Sequence, residues 1–265
     1  MSFRLKSVAE LRKELGQYDA VVQLTEVSVR DFIENAKNHS SVKEYITQQS
    51  QKYSIRTNDV EMDLLMNRLP LQYIASVQQY AEYFFYRFKL DYEELFDIKI
   101  ELGDSNDAFL EKLISKLPYN KKKLLTEVGE VHYDIIKYYK KVRNKYSHYF
   151  QISDNSLKTE FDKLLLRKDE ITEKYGLTDV PNDYENLNFN DFMLFTRALK
   201  YFANNLCDFI KPNDDLLIEH LKRKKFKLNL LNKESRYKTA LKMYLMHEFG
   251  IEDSNIDYIY SALVA

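Results

Sequence analysis

The chain has one cysteine, no tryptophan, five glycines and four prolines in 265 residues. The lone Cys207 excludes an internal disulfide and any cysteine-based zinc spacing. So little glycine and proline leaves few tight turns for an all-β protein, and no glycine-rich loop of the kind that cradles phosphate in ATP, GTP or NAD binders. No nucleotide cofactor is expected. No apolar run approaches the roughly 20 residues needed to cross a bilayer, because charged residues interrupt each one. The N-terminus lacks the charged, apolar and small-residue regions of a signal peptide. The expectation is a soluble, cytoplasmic, all-α protein with no membrane contact, long enough to bury a substantial core.

An excess of charge of one sign is also missing. The formal net charge of −1 argues against a protein that coats nucleic acid generally, so any affinity for RNA must come from local patches. Three basic runs are present: Lys121 to Lys123, the group Lys137, Lys140, Lys141, Arg143 and Lys145, and Lys222 to Lys225 with Lys227. A solvated helix face explains each run taken alone. Five scattered histidines offer no metal-ligand spacing, and Glu130-Val131-His132 lacks the second histidine of a metalloprotease helix, so no metal site is expected. Gly103-Asp104-Ser105-Asn106 reads as a helix-capping loop, since no apolar strand leads into it as a hydrolase nucleophile turn requires.

What is abundant is helical periodicity. Val22, Val29 and Ile33 share one face of an opening helical segment, about residues 8 to 35, as one helix or two broken near Gly16. Ser41 to Glu44 has the form of a capping box, and Asn58 to Glu61 a looser one. From Leu71, with Pro70 suited to the first turn, Ile74, Val77, Ala81, Phe84 and Phe88 form a stripe. A helix is expected from about Asp107 to Leu117, another from about Glu130 to Phe150, and a short one ending at Leu164 to Leu166. From about Lys168 a polar stretch with Gly176 and Pro181 reads mostly as loop, tolerant of insertion. Phe192 to Phe209 is the most regular stripe and ends at Lys211-Pro212. Beyond it the chain becomes more charged, with a helix over Ser235 to Phe249 closed by Gly250 and a short helix starting near Ser254. The expected organisation is an N-terminal helical extension (1–62), a central bundle (63–212) and a basic C-terminal appendage (213–265).

One constellation carries chemistry: Arg143-Asn144-Lys145-Tyr146-Ser147-His148. Cleaving RNA through its own 2′-hydroxyl needs a group titrating near neutrality to move the proton and a fixed cation to stabilise the phosphoryl charge. His148 suits the first task and Arg143 the second, while Asn144 can orient the histidine or hold the phosphate. Ile135, Tyr139, Val142, Tyr146 and Tyr149 are spaced as the buried seam of this helix. At about 100° per residue, Asn144 and His148 fall opposite that seam, Arg143 to one side, and Lys137, Lys141, Asn144 and His148 make a second seam with no apolar member.

Arginine, asparagine, three arbitrary residues and histidine resemble the signature of the HEPN superfamily, the "higher eukaryotes and prokaryotes nucleotide-binding" helical domains. Many of these are ribonucleases of toxin-antitoxin, CRISPR and anti-phage systems. The resemblance covers about residues 63 to 212. It implies a HEPN-like bundle with helical extensions at both ends, acting as a metal-independent endoribonuclease in toxin or anti-phage defence. His148 would be the general base or acid, Arg143 would stabilise the phosphoryl charge and Asn144 would position phosphate or imidazole. Lys137, Lys141 and Lys145 would hold the RNA backbone. Such enzymes commonly pool two motif helices in a homodimer, and they need restraint by an antitoxin or regulatory partner. The alternative is a non-catalytic helical module that binds RNA, a nucleotide or a protein, or whose basic tail, Lys222 to Lys227, makes the true contact.

Overall fold

A computed structural model describes residues 3–57, 62–102, 109–147, 154–251 and 255–264. Among these residues the chain forms α-helices and no strand. In chain order the helices are α1 (Lys6–Lys37), α2 (Val42–Tyr53), α3 (Met62–Phe96), α4 (Phe109–Lys116), α5 (Lys121–Val128), α6 (Glu130–Ser147), α7 (Asp154–Leu165), α8 (Lys168–Tyr175), α9 (Phe189–Phe209), α10 (Asp214–Arg223), α11 (Glu234–Phe249) and α12 (Ile256–Val264). No helix is long and apolar enough to cross a membrane among the described residues.

Local chemistry explains several boundaries. Ser41 Oγ accepts from the Glu44 N–H at the start of α2, as its capping-box sequence requires. Asn120 caps α5 and Asn213 caps α10 in the same manner, each through Oδ1. Gly250 closes α11 with φ of 65°. The second capping sequence, Asn58 to Glu61, lies outside the described residues.

Several expectations need correction. α1 runs unbroken through Gly16. Pro70 lies well inside α3, so that helix starts earlier than the proline implied and lacks the N–H that would bond the Met66 carbonyl. α5 and α10 were not anticipated. Residues 168–175 are helical, and the stretch that follows is tethered rather than loose, by the bonds of Asn182 to Asp191.

The chain forms two compact units, neither a single stretch of sequence: Met1–Lys13, Gln79–Tyr133 and Ala198–Ala265 make one, and Glu14–Gln78 with Asp134–Arg197 the other. In the first, Phe84, Phe85 and Phe88 of α3 are buried, and Phe85 meets Phe202 of α9 edge-on at 6.0 Å. Phe3 stacks on Phe249 of α11 in the same unit. In the second, Phe192 is the hub, met by Tyr18 at 6.0 Å, Tyr73 at 5.6 Å and Phe189 at 5.6 Å. Tyrosine takes part in these cores, and two of the buried hydroxyls on α6 find partners. Tyr138 Oη donates to the Asn182 carbonyl at 2.6 Å and Tyr139 Oη to Asp191 at 2.7 Å.

Candidate functional site

α6 begins as a helix buried nearly all round. Val131, His132, Tyr133, Ile135, Ile136, Tyr138, Tyr139 and Val142 are all buried, a wider apolar face than one seam predicts. Toward its C-terminal end the burial relaxes: Lys141, Arg143, Asn144, Lys145 and Tyr146 are half-buried and Ser147 is exposed. Tyr146 is therefore less covered than a seam position would be. His148 and Tyr149 lie outside the described residues, so the motif is seen here up to Ser147.

The polar seam of α6 is covered in part by α7, which runs antiparallel to it. Lys141 Nζ donates to Ser156 Oγ at 2.9 Å and to Glu160 Oε1 at 3.1 Å, and Lys137 Nζ meets the same oxygen at 3.2 Å. Lys163, on the same helix as Glu160, takes Oε2 at 3.1 Å. The Glu160 side chain is only 7 % exposed. Burial alone would raise its carboxyl pKa, yet the lysines outweigh burial and hold it at about 2. One step further along, Arg167 binds Asp134 of α6 at 3.1 Å and Glu170 at 2.8 Å.

The opposite flank of this segment is held by the connection between α8 and α9. The Asp191 carboxylate is fully buried and takes four donors: Tyr139 Oη and the Asn182 N–H on Oδ1, and Asn182 Nδ2 and the Asn188 N–H on Oδ2. Burial pushes its pKa up against the pull of those donors. The Asn188 bond is also half of a capping box, since Asn188 Oδ1 accepts from the Asn190 N–H at 2.8 Å. One carboxylate thus starts α9, clamps residue 182 and docks both on α6. That explains why a polar stretch around Pro181 is ordered: its hydrogen bonds run to a buried acid.

The three lysines proposed for RNA do not act as one group. Successive steps of four residues drift about 40° around a helix. Lys137 and Lys141 therefore face α7, whereas Lys145 lies over the Tyr184 ring at 4.3 Å, with Glu185 at 3.9 Å. Arg143 and Asn144 are brought together, adjacent and half-buried, and burial pulls the Arg143 pKa down while leaving it a cation at neutral pH. A partly desolvated guanidinium exerts a stronger field on a bound anion than one in water.

Sequence reasoning missed Glu160 and Asp191. Glu160 sits in no motif, and nothing local marks it as buried. Asp191 did carry a signal, the capping-box spacing from Asn188. No family model, curated protein or solved structure matches this chain. Among the described residues no group of three or more His, Cys, Asp or Glu is placed to hold a metal ion.

Proposed function

We propose that this protein is a metal-independent endoribonuclease of HEPN-like design, cytoplasmic and working as a homodimer. The observation that carries the reading is the placement of Arg143 and Asn144: side by side, half-buried and still reachable, on the last turns of a helix whose other side is core. In this mechanism His148 takes the proton of the 2′-hydroxyl or returns one to the leaving 5′-oxygen. Arg143 stabilises the charge on the phosphoryl oxygens, and Asn144 positions phosphate or imidazole. The O2′–P bond forms as the P–O5′ bond breaks, leaving a 2′,3′-cyclic phosphate and a 5′-hydroxyl. Lys145, beside Tyr184, adds a contact for the RNA backbone, and Lys137 and Lys141 contribute positive charge along the same helix. The second copy supplies a facing motif helix, and a toxin or anti-phage setting with an antitoxin or regulatory partner completes the proposal.

A second reading, a non-catalytic RNA-binding or interaction module, is favoured by one observation. Lys137 and Lys141 are already engaged by Glu160, which gives that seam a structural role. One assay separates the two. End-labelled RNA is incubated with the full chain in chelator, beside His148→Ala and Arg143→Ala, and the product ends are read by mass spectrometry. The enzyme reading expects cyclic-phosphate ends and a loss of at least about 100-fold in each variant. RNA binding without cleavage, or equal cleavage by all three proteins, refutes it.

A further inference from the structure

Independently of the ribonuclease reading, the first unit contains a cavity of about 150 Å³ built from α1, α3, α10 and α11. It is lined by more polar than apolar chemistry, and several of its groups lack partners. His220 is 2 % exposed, its Nε2 lies 3.1 Å from Tyr244 Oη, and its Nδ1 makes no well-aligned hydrogen bond, the Glu94 backbone being a further polar neighbour of the ring. The Nε of Arg87 is buried and makes no hydrogen bond among the described residues; Glu10 lies 3.8 Å from it. Glu248 and Lys6 line the same space from its solvent-exposed side. A folded protein rarely leaves buried donors and acceptors unmet, so groups of this kind around one cavity mark a place for a polar occupant.

The charges narrow what that occupant is. The walls carry two cations, Lys6 and Arg87, and three carboxylates, Asp91, Glu94 and Glu248. Asp91 is committed to the N–H of Ser7 at 2.8 Å, and Glu94 to Lys224. A phosphate would meet the carboxylates at close range, and a simple amine would leave the Arg87 Nε unmet. Burial, opposed by the Glu94 backbone and reinforced by Lys224 and Arg223, holds His220 below the usual histidine pKa, so the imidazole is neutral at pH 7 and adds no charge. Tyr244, pushed up to about 12 by burial and by Glu248 and Glu94, stays a phenol and can donate or accept. A ligand with one group of each sign satisfies both sets. A cavity of this volume holds a molecule of about six non-hydrogen atoms, the size of benzene.

We propose that this cavity binds a small zwitterion of amino-acid type, its carboxylate on Arg87 and Lys6 and its ammonium on Glu248, with His220 and Tyr244 closing the inner wall. The test is calorimetry on the full chain with glycine, alanine and serine, beside acetate, methylammonium and inorganic phosphate. The expected result is saturable binding of at least one amino acid, with each single-charge probe at least tenfold weaker. Glu248 is exposed and has no hydrogen bond or ion pair among the described residues, so Glu248→Gln is expected to melt with the wild type and to bind at least tenfold more weakly. No binding by any of the three amino acids means a cavity holding water only and overturns the proposal. Equal binding of acetate, methylammonium or phosphate, or an unchanged affinity in Glu248→Gln, also overturns it.

Discussion

Replacing Glu160 by glutamine keeps the shape of the side chain and removes the one charge on which Lys137, Lys141 and Lys163 converge. Its carboxyl pKa falls from an ordinary 4.5 to about 2 in the folded chain. At about 1.4 kcal/mol per pKa unit this would be worth roughly 3 kcal/mol, and solvent around the lysines reduces it to about 2 to 3 kcal/mol. The glutamine variant also leaves three ammonium groups close together without their anion. Because the folded pKa is depressed, the stabilisation is fully present above the unfolded value near 4.5 and disappears as pH falls through about 2. Thermal unfolding of wild type and Glu160→Gln at pH 7 should differ by roughly 5 to 10 °C, and the gap should close steadily between about pH 4.5 and pH 2. A gap that is absent at pH 7, or that does not change with pH, refutes the assignment of Glu160 as the buried anion of this cluster.

Two further substitutions test how the segment is held. Asp191→Ala strands the four donors on that carboxylate and should cost about 3 to 5 kcal/mol in urea unfolding, whereas a cost under about 1 kcal/mol would show that the connection between α8 and α9 is held otherwise. Gly129 joins α5 to α6 at φ of 104°, and an added Cβ would stand 2.6 Å from the His132 ring, so Gly129→Ala should cost about 2 to 4 kcal/mol. Adding His132→Ala should return the crowding part and leave the backbone part. If Gly129→Ala melts with the wild type, the tight turn is not required.

The fold class and the long helices were legible because apolar residues repeat at helical spacing over many turns. Phe192, Phe195, Leu199, Phe202 and Leu206 do so without interruption, and all are buried. α5 and α10 were not legible for the opposite reason. Each is short and rich in charge, and its identity rests on an asparagine cap and on burial of a few residues such as Leu124, Leu217 and Leu221. The candidate site divides in the same way. Arg143 and Asn144 both lie off the buried face of one helix, half-buried, and 100° per residue can place each of them. That α7 would fold back along this side could not be read, because its decisive residue is a glutamate whose burial depends on lysines 19 and 23 residues away. The cavity at His220 is further still from view, since its walls come from four segments brought together only by folding.

The half-covered polar seam makes the role of its lysines separable from that of the motif. If Lys137 and Lys141 reach RNA phosphates, they must do so in competition with Glu160, which lies at hydrogen-bond distance from both. Replacing both lysines by alanine would then weaken RNA binding and lower the slope of log affinity against log salt by about 1.4 for a single strand, because each lost phosphate contact removes about 0.7. Glu160→Gln would act in the opposite direction, freeing the pair and raising affinity at fixed salt. If the lysines serve only to seat α7, the double substitution lowers the melting temperature and leaves the salt slope unchanged. Filter binding across a salt series, run beside thermal unfolding on the same three proteins, distinguishes these outcomes. A slope unchanged within error in the lysine variant would confine RNA contact to Arg143, Lys145 and the residues that follow them.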